Sequence, residues 1–438
     1  MGTLQATWIS KASAKQRRGR AGRTKAGVCF HLFSRRRHES FRDFLESELL
    51  RTSLEEICLQ CKKLDLTPGG IHDDDGIPAF LASAMTPPHP KSVSNALEKL
   101  VELGAMDIET NSLTPLGQCL STLSVSPEVG KMTIWSYILG CSKDASSMAV
   151  AMSYKSPFVI PPSKMRRDAD EARVELSQGT ESDQVLVLKV LQDRDNFYKQ
   201  GRKNQFFGYC KRNFINFATI QMVSDLRKNI ARELATIGFP DPSDLKSWYN
   251  RNGLSERSLP FLQSTIVAGV YPNVAARQAG SSNFSTSTNR KSKLHVGSVN
   301  ACKGQPLART SKMLEFIAYG EMVKGTALYT MNQTTHLATV LPIMLLCGSF
   351  HIRPAYAGKE RQATDHSVMA VDEWISFQCE KSVATVLAIL RRRLDAIFHH
   401  IVSNPKTSFE SFSEMEKNTI NVLDSVMQSS FYASPGRW

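Results

Sequence analysis

The sequence predicts a multidomain α+β protein, and three observations predict it. The chain has 438 residues, more than the roughly 100–200 that one domain takes. From about residue 116 to 250, apolar positions recur at helical spacing, which predicts a helical bundle. From 260 to 350 the pattern changes to short β-prone runs separated by turn residues, as in a small β-barrel.

Charge narrows the class of partner. The net charge is +13, and it is unevenly spread: residues 1–51 carry net +8 and residues 251–350 net +7, while 52–250 and 351–438 come to −2 and 0. A positive field at two places favours phosphate-bearing or acidic partners and says nothing of fold. Nine cysteines are scattered without a disulfide framework. The apolar run from Leu337 to Phe350 contains Pro342 and is too short for a membrane span. No signal-peptide pattern opens the chain, and Ala6 stands where myristoylation needs Ser or Thr. The expectation is a reducing, intracellular location, cytoplasmic or nuclear, with no membrane partner.

In chain order, Trp8 and Ile9 look like the end of a short strand. Ser13 to Thr24 predicts a turn into a helix, Val28–Phe33 a strand, and a charged helix follows from about Arg37. Leu54, Ile57, Cys58, Cys61 and Leu64 recur at helical spacing, with Ser53 and Glu56 as a capping-box signature. Ile77–Met85 and Ser92–Leu103 predict two more helices, and Asn111-Ser112 the tip of a hairpin over Asp107–Thr114. Helices followed by such a hairpin suit a winged helix. Five helices follow: Lys131–Leu139, Ala145–Met152, Asp168–Leu176, Gln184–Tyr198 and Asn213–Ile237. The strand candidates are Thr265–Val270, Leu294–Val299, Leu314–Ala318, Thr326–Met331 and Ala338–Leu346, with a long exposed loop over Ala279–Lys293. Beyond 351, a helical pattern over Val371–Ile397 and a polar tail predict a mostly helical extension.

The sharpest chemical signal is Gln16-Arg17-Arg18-Gly19-Arg20-Ala21-Gly22-Arg23. If helical, Gln16, Arg20 and Arg23 share one face, and two guanidiniums there make a fork for phosphate oxygens. Gly19 and Gly22 would each cost a helix about 1 kcal/mol relative to Ala, so small residues there point to a close approach of backbone to ligand or neighbour. On composition alone, a basic, Gly-rich arm that binds nucleic acid without specificity is the alternative.

This run, preceded by Trp8-Ile9-Ser10-Lys11-Ala12-Ser13-Ala14, resembles motif VI of DEAH/RHA-type helicases. The resemblance continues in family order. Leu50–Gln60 is similar to the opening of the family's winged helix, and Leu113-Thr114-Pro115-Leu116-Gly117 to its end. Ser156-Pro157-Phe158 and Cys210-Lys211-Arg212-Asn213-Phe214 match landmarks of the ratchet-like helical domain. Ala268–Ala275 resembles the first strand of the OB-fold, and His295 with Ser298-Val299-Asn300 a later one. The likeness covers about residues 4–350.

The resemblance implies a division into 1–48, the end of a second RecA-like domain; 49–117, a winged helix; 118–250, the ratchet-like domain; 251–350, the OB-fold; and 351–438, an extension. It implies ATP and Mg²⁺ as cofactors of a complete motor that translocates 3′ to 5′ on single-stranded RNA and unwinds duplexes. Arg20 and Arg23 match the arginines that reach the ATP phosphates, Arg23 as the arginine finger, and Gln16 the glutamine that helps place the attacking water. Expected partners are single-stranded or structured RNA, N-terminal RecA-like domains and a helicase-activating protein.

Two departures bear on this. Neither G-x-x-x-x-G-K-[ST] nor Asp-Glu-x-His occurs in these residues, so this chain alone is expected not to hydrolyse ATP. The family's His-Pro before Ser-Ser-Val reads His295-Val296-Gly297 here, and its Asp-His pair reads Asp183-Gln184. The second reading is therefore a non-catalytic RNA-binding or regulatory module acting through the OB-fold.

For RNA contact the candidates are Arg277, Lys291, Lys293 and Lys303, with Tyr271 either a stacking residue or part of the barrel packing. The lesser clusters have blander readings. Cys58-x-x-Cys61 lacks a second pair at zinc spacing and reads as buried thiols, so no metal site is expected. Asp73–Asp75, His399-His400 and Arg391–Arg393 read as solvated surface, and the winged helix, with little basic charge, as structural packing.

Overall fold

The computed structural model describes all residues except 1, 4–6, 68–75, 242–249, 279–280, 289, 303–313, 326–327, 358–361, 407–411 and 433–438. It is a mixed α+β structure in which a helical domain packs against a barrel-like sheet.

The first stretch contains β1 (Gly2–Thr3), α1 (Lys11–Arg18) and α2 (Arg35–Glu39). Trp8-Ile9 and Val28–Phe33 are irregular, not strands, and Val28, Phe30 and Leu32 stand exposed. A strand needs ladder partners for its N–H and C=O groups, and the described residues give Val28–Phe33 none.

Next come α3 (Glu55–Lys63), α4 (Ile77–Ala82) and α5 (Pro90–Glu102), packed on one another, and an antiparallel bridge between Met106 and Leu113. Asn111 turns the hairpin at φ +48°. Ser53 bonds to Glu55 rather than Glu56, so the capping box does not form. Cys58 and Cys61 are buried on the inner face of α3, and burial pushes the Cys58 thiol up to about 12. Gly117, in α6 (Pro115–Leu120), admits no side chain: a Cβ there would lie 2.0 Å from the Ala105 carbonyl oxygen.

The helical domain comprises α7 (Pro127–Ile138), α8 (Ser142–Ser153), α9 (Arg166–Ser177), α10 (Asp183–Lys199), α11 (Lys203–Arg212) and α12 (Phe217–Ile237). Sequence periodicity locates five of these and misses α11. It also misassigns Thr265–Val270, which lies in α13 (Leu259–Val270). Every residue of α13 is buried, and a segment apolar all round gives no periodicity by which to tell helix from strand. Gly269 lets α13 approach α7, because a Cβ there would meet the Glu128 carbonyl at 2.7 Å.

Five strands close the barrel: β2 (Val274–Arg277), β3 (Phe284–Thr286), β4 (Lys291–Leu294), β5 (Glu315–Lys324) and β6 (Tyr329–Leu337). The order runs β5-β2-β3-β4-β6, and β6 pairs back on β5, with β1 added parallel at the β5 edge. β3 and β4 fall within the stretch expected to be loop. Ala338–Leu346 is not a strand but includes α14 (Leu341–Leu346).

Residues 350–432 correct the helical expectation for the extension. They open with an antiparallel sheet of β7 (Phe350–Ala357), β8 (Gln362–Val371) and β9 (Ile375–Glu380), followed by α15 (Lys381–Ser403) and α16 (Glu414–Tyr432). Arg391 is buried rather than solvated: it donates to the Met344 carbonyl at 2.7 Å and to that of Gly348, tying α15 to the end of α14. Arg392, Arg393 and His399 are exposed, while His400 bonds Glu416 at 2.9 Å. Asp73–Asp75 lie outside the described residues.

Candidate nucleotide half-site and nucleic-acid interface

α1 is fixed at its start and released at its end. Ser10 caps it by accepting from the Ser13 N–H at 3.1 Å. The N–H groups of Lys11 and Ala12 donate to the Arg42 and Asp43 carbonyls at 2.9 Å, so the chain after α2 anchors the helix. A small aromatic cluster supports it: Trp8 stacks on Phe41 at 5.7 Å, Phe33 meets Phe41 edge-on at 4.9 Å, and Arg37 lies over Trp8 at 5.1 Å.

The helix ends at Arg18, so Gln16, Arg20 and Arg23 do not share a helical face. Arg20 and Ala21 continue as tight turns, their N–H groups reaching the Arg17 and Arg18 carbonyls at 3.1 Å. Gly22 then breaks the run at φ +85°, open to glycine at little cost. Gly27 closes the loop, since a Cβ on it would lie 2.9 Å from the Gly22 nitrogen. The Arg23 Nε–H reaches the Gly19 carbonyl at 3.4 Å. Gln16, Arg17, Arg18, Arg20 and Arg23 are all exposed, and among the described residues none pairs with a carboxylate. An unneutralised group of guanidiniums is suited to phosphate oxygens.

On the barrel, burial alternates along β4: Lys291 and Lys293 point outward and Ser292 is buried. Arg277 is engaged elsewhere, paired with Glu315 and lying 4.7 Å over Phe284. Tyr271 packs against the hydrophobic core, and its hydroxyl donates to Asp372 at 2.5 Å. Lys303 lies outside the described residues.

Sequence reasoning missed the centre of the junction between bundle and barrel. Asp183, at the start of α10, accepts from the Val299 N–H at 2.7 Å and the Thr334 N–H at 2.8 Å. Burial raises its pKa, against the lowering effect of those two N–H groups. Next to it, Gln184 donates to the Gln333 carbonyl at 2.6 Å and accepts from Thr335 at 2.7 Å. His295 lies nearby, its Nδ1 accepting the Gly297 N–H at 3.1 Å; burial lowers its pKa, with Asp183 opposing and Arg166 and Arg173 reinforcing. The departures at 183–184 and 295–297 therefore meet in one place.

A cleft of about 240 Å³ between α3, α5, α7 and the barrel carries Glu55, Glu56, Glu128 and Glu321. Lys99 bridges Glu55, at 3.1 Å, and Glu128. The excess of carboxylates repels phosphate. No helix among the described residues is long and apolar enough to cross a membrane.

Three family models match in succession. The helicase-associated, ratchet-like domain matches residues 126–206, the oligonucleotide/oligosaccharide-binding fold 262–350, and the C-terminal domain in RNA helicases 367–426. The chain is 32% identical to mouse ATP-dependent RNA helicase DHX29 over 422 residues, covering 94% of this chain and 28% of that protein. It is 32% identical to the Arabidopsis thaliana DExH-box ATP-dependent RNA helicase DExH1 over 405 residues, covering 92% and 37%. It is 33% identical to mouse ATP-dependent DNA/RNA helicase DHX36 over 414 residues, covering 92% and 38%. The chain thus spans between a quarter and two-fifths of the length of these relatives. With successive helicase-domain models along it and helicases aligned over more than nine-tenths of it, the chain belongs to the DEAH/RHA-type helicase family and corresponds to its C-terminal portion.

Proposed function

We propose that this chain acts as the C-terminal part of an ATP-dependent RNA helicase that moves 3′ to 5′ on a single strand and unwinds duplexes. One observation carries the reading: the exposed run from Gln16 to Arg23 has no carboxylate partner among the described residues. Residues 1–48 then form the end of a second RecA-like domain, with Val28–Phe33 pairing into a sheet completed by N-terminal RecA-like domains. Residues 49–117 are its winged helix, 118–250 its ratchet-like domain, 251–350 its OB-fold and 351–438 the extension beyond it.

The residues fit half of an ATP site. Arg20 and Arg23 would neutralise the phosphates, Arg23 as the finger, and Gln16 would place the attacking water. Bound ATP supplies the transferring phosphoryl group. Mg²⁺ would draw its ligands from the other half, because no group of three or more His, Cys, Asp or Glu side chains among the described residues suits a metal.

For RNA, the outward pair Lys291 and Lys293 is the barrel's contact with the backbone. The test is the affinity of the 438-residue chain for fluorescent oligo(U) across a salt series. Each phosphate contact on a single strand adds about 0.7 to the log–log slope, so Lys291→Gln/Lys293→Gln is expected to shallow it by about 1.4. An unchanged slope in a folded variant counts against the barrel contact.

A further inference from the structure

A modification motif lies close to the arginine run. The chain holds three Arg-x-Arg pairs, at 18 and 20, 35 and 37, and 391 and 393. Three residues past each pair stand Arg23, Ser40 and Ala396 in turn. Only Arg35-Arg36-Arg37-His38-Glu39-Ser40 therefore sets a hydroxyl three and five residues past arginines. That is the charge pattern by which basophilic protein kinases choose a serine.

The fold leaves this segment open to a kinase. Ser40 is exposed at the C-cap of α2, and its hydroxyl donates to the Arg37 carbonyl at 2.7 Å. Arg35 and Arg36 are exposed and pair with no carboxylate among the described residues. A kinase binds its substrate extended, so α2 has to unwind. It has five residues, none of them buried, and so short a helix is marginal on its own. A solvated basic face accounts for the three arginines. It does not account for an exposed serine at the matching place, on a helix that opens without uncovering any core.

The serine also sits at the footing of α1. Phe41, the next residue, is 5% exposed and stacks on Trp8. The Arg42 and Asp43 carbonyls that follow accept the Lys11 and Ala12 N–H groups. A phosphoryl group brings a charge of about −1.5 to −2 and, when fully ionised, no proton to donate. At Ser40 it faces the Arg36 and Arg37 carbonyls that accept the Ser40 N–H, at the end of α2 where the helix dipole disfavours an anion. Arg37, which lies over Trp8, is drawn off that ring toward the phosphate. Both changes loosen the segment on which α1 stands, and α1 leads directly into Gly19 to Arg23.

We propose that Ser40 is a phosphorylation site for a basophilic Ser/Thr kinase, and that the phosphate releases the start of α1 from the segment after α2. In the transfer, the Ser40 Oγ attacks the γ-phosphorus of the kinase's ATP. An Oγ–P bond forms, the bond from that phosphorus to the bridging oxygen breaks, ADP leaves, and the hydroxyl proton passes to the kinase's catalytic carboxylate. The site goes beyond the helicase reading and does not depend on it. Only the consequence for Arg20 and Arg23 at ATP phosphates does.

The experiment treats the 438-residue chain with protein kinase B and Mg²⁺-ATP, maps phosphate by mass spectrometry and follows amide hydrogen exchange. Phosphate is expected at Ser40, and Ser40→Ala is expected to lose it. Arg35→Ala, which leaves the Arg37–Trp8 contact in place, should slow labelling of Ser40 by about 10- to 150-fold. In the phosphorylated chain the Lys11 and Ala12 amides should exchange about 2- to 30-fold faster than in the untreated chain. Ser40→Ala given the same treatment should exchange like the untreated chain. A folded wild-type chain that takes no phosphate at Ser40 overturns the site, as does labelling of Ser40 at an unchanged rate in Arg35→Ala. Phosphorylated Ser40 with unchanged exchange at Lys11 and Ala12 overturns the release of α1. None of these readouts uses RNA or turnover by a completed motor, so a failure of the helicase reading shows separately.

Discussion

Arg23→Ala is expected to lower ATP turnover by about 10³- to 10⁵-fold when this chain completes a motor. The measurement joins the chain to the part of mouse DHX36 that lies outside the aligned residues, as the motor half. Arg23 is exposed, and its Nε–H bond to the Gly19 carbonyl is long at 3.4 Å. Stability therefore should not change, and the loss should fall on kcat. Arg23→Lys keeps the charge but not the planar fork, so it is expected to rescue little. A kcat within tenfold of wild type in the Arg23→Ala fusion would remove the arginine-finger role.

The second large effect belongs to Asp183→Ala. It leaves the Val299 and Thr334 N–H groups buried without their acceptor. At about 1–3 kcal/mol for each orphaned donor, the cost is about 2–6 kcal/mol. The loss should show in thermal melts as early separation of barrel from bundle, with both sheets and helices persisting. The pH dependence has a definite sign. Burial raises the Asp183 pKa above its usual 3.8, so its titration favours the folded state in acid and that contribution is lost as pH rises through the raised value. The gap between wild type and variant should therefore be widest in acid and narrow upward from the ordinary carboxylate range. A melt indistinguishable from wild type would mean that the junction is held elsewhere.

Much of the fold is legible in the sequence where one face of an element is apolar. α10 and α12 are read nearly to their ends because polar residues mark their solvent sides. α13 is not, because burial on every side erases the periodicity and Thr265, Ile266 and Val267 are β-branched. β3 and β4 look like loop because a strand as short as Lys291–Leu294 has only one buried position, Ser292, to betray it. Val371–Glu380 runs into α15 without a turn signal that separates strand from helix.

The candidate site divides along the same line. The run from Gln16 to Arg23 points to ATP phosphates through its resemblance to motif VI, while composition alone leaves a basic arm for nucleic acid equally open. Its conformation does not follow, since Gly19 and Gly22 end the helix that spacing assumes. Tyr271 and Arg277 are chosen for type and charge, but their partners Asp372 and Glu315 are 101 and 38 residues away, and no local pattern shows them. Gln184 is visible as a departure from a motif; only the fold shows its neighbour Asp183 accepting from Thr334 of β6 and from Val299 in the turn after β4.

On the proposed function, this chain supplies one half of an RNA-driven ATP site. Its most direct test is ATP turnover by the same fusion, with and without oligo(U), against the motor half alone. Little turnover by either part alone, restored turnover in the fusion and a further rise with oligo(U) are expected. A folded fusion that binds oligo(U) yet hydrolyses ATP no faster than the motor half alone would contradict it.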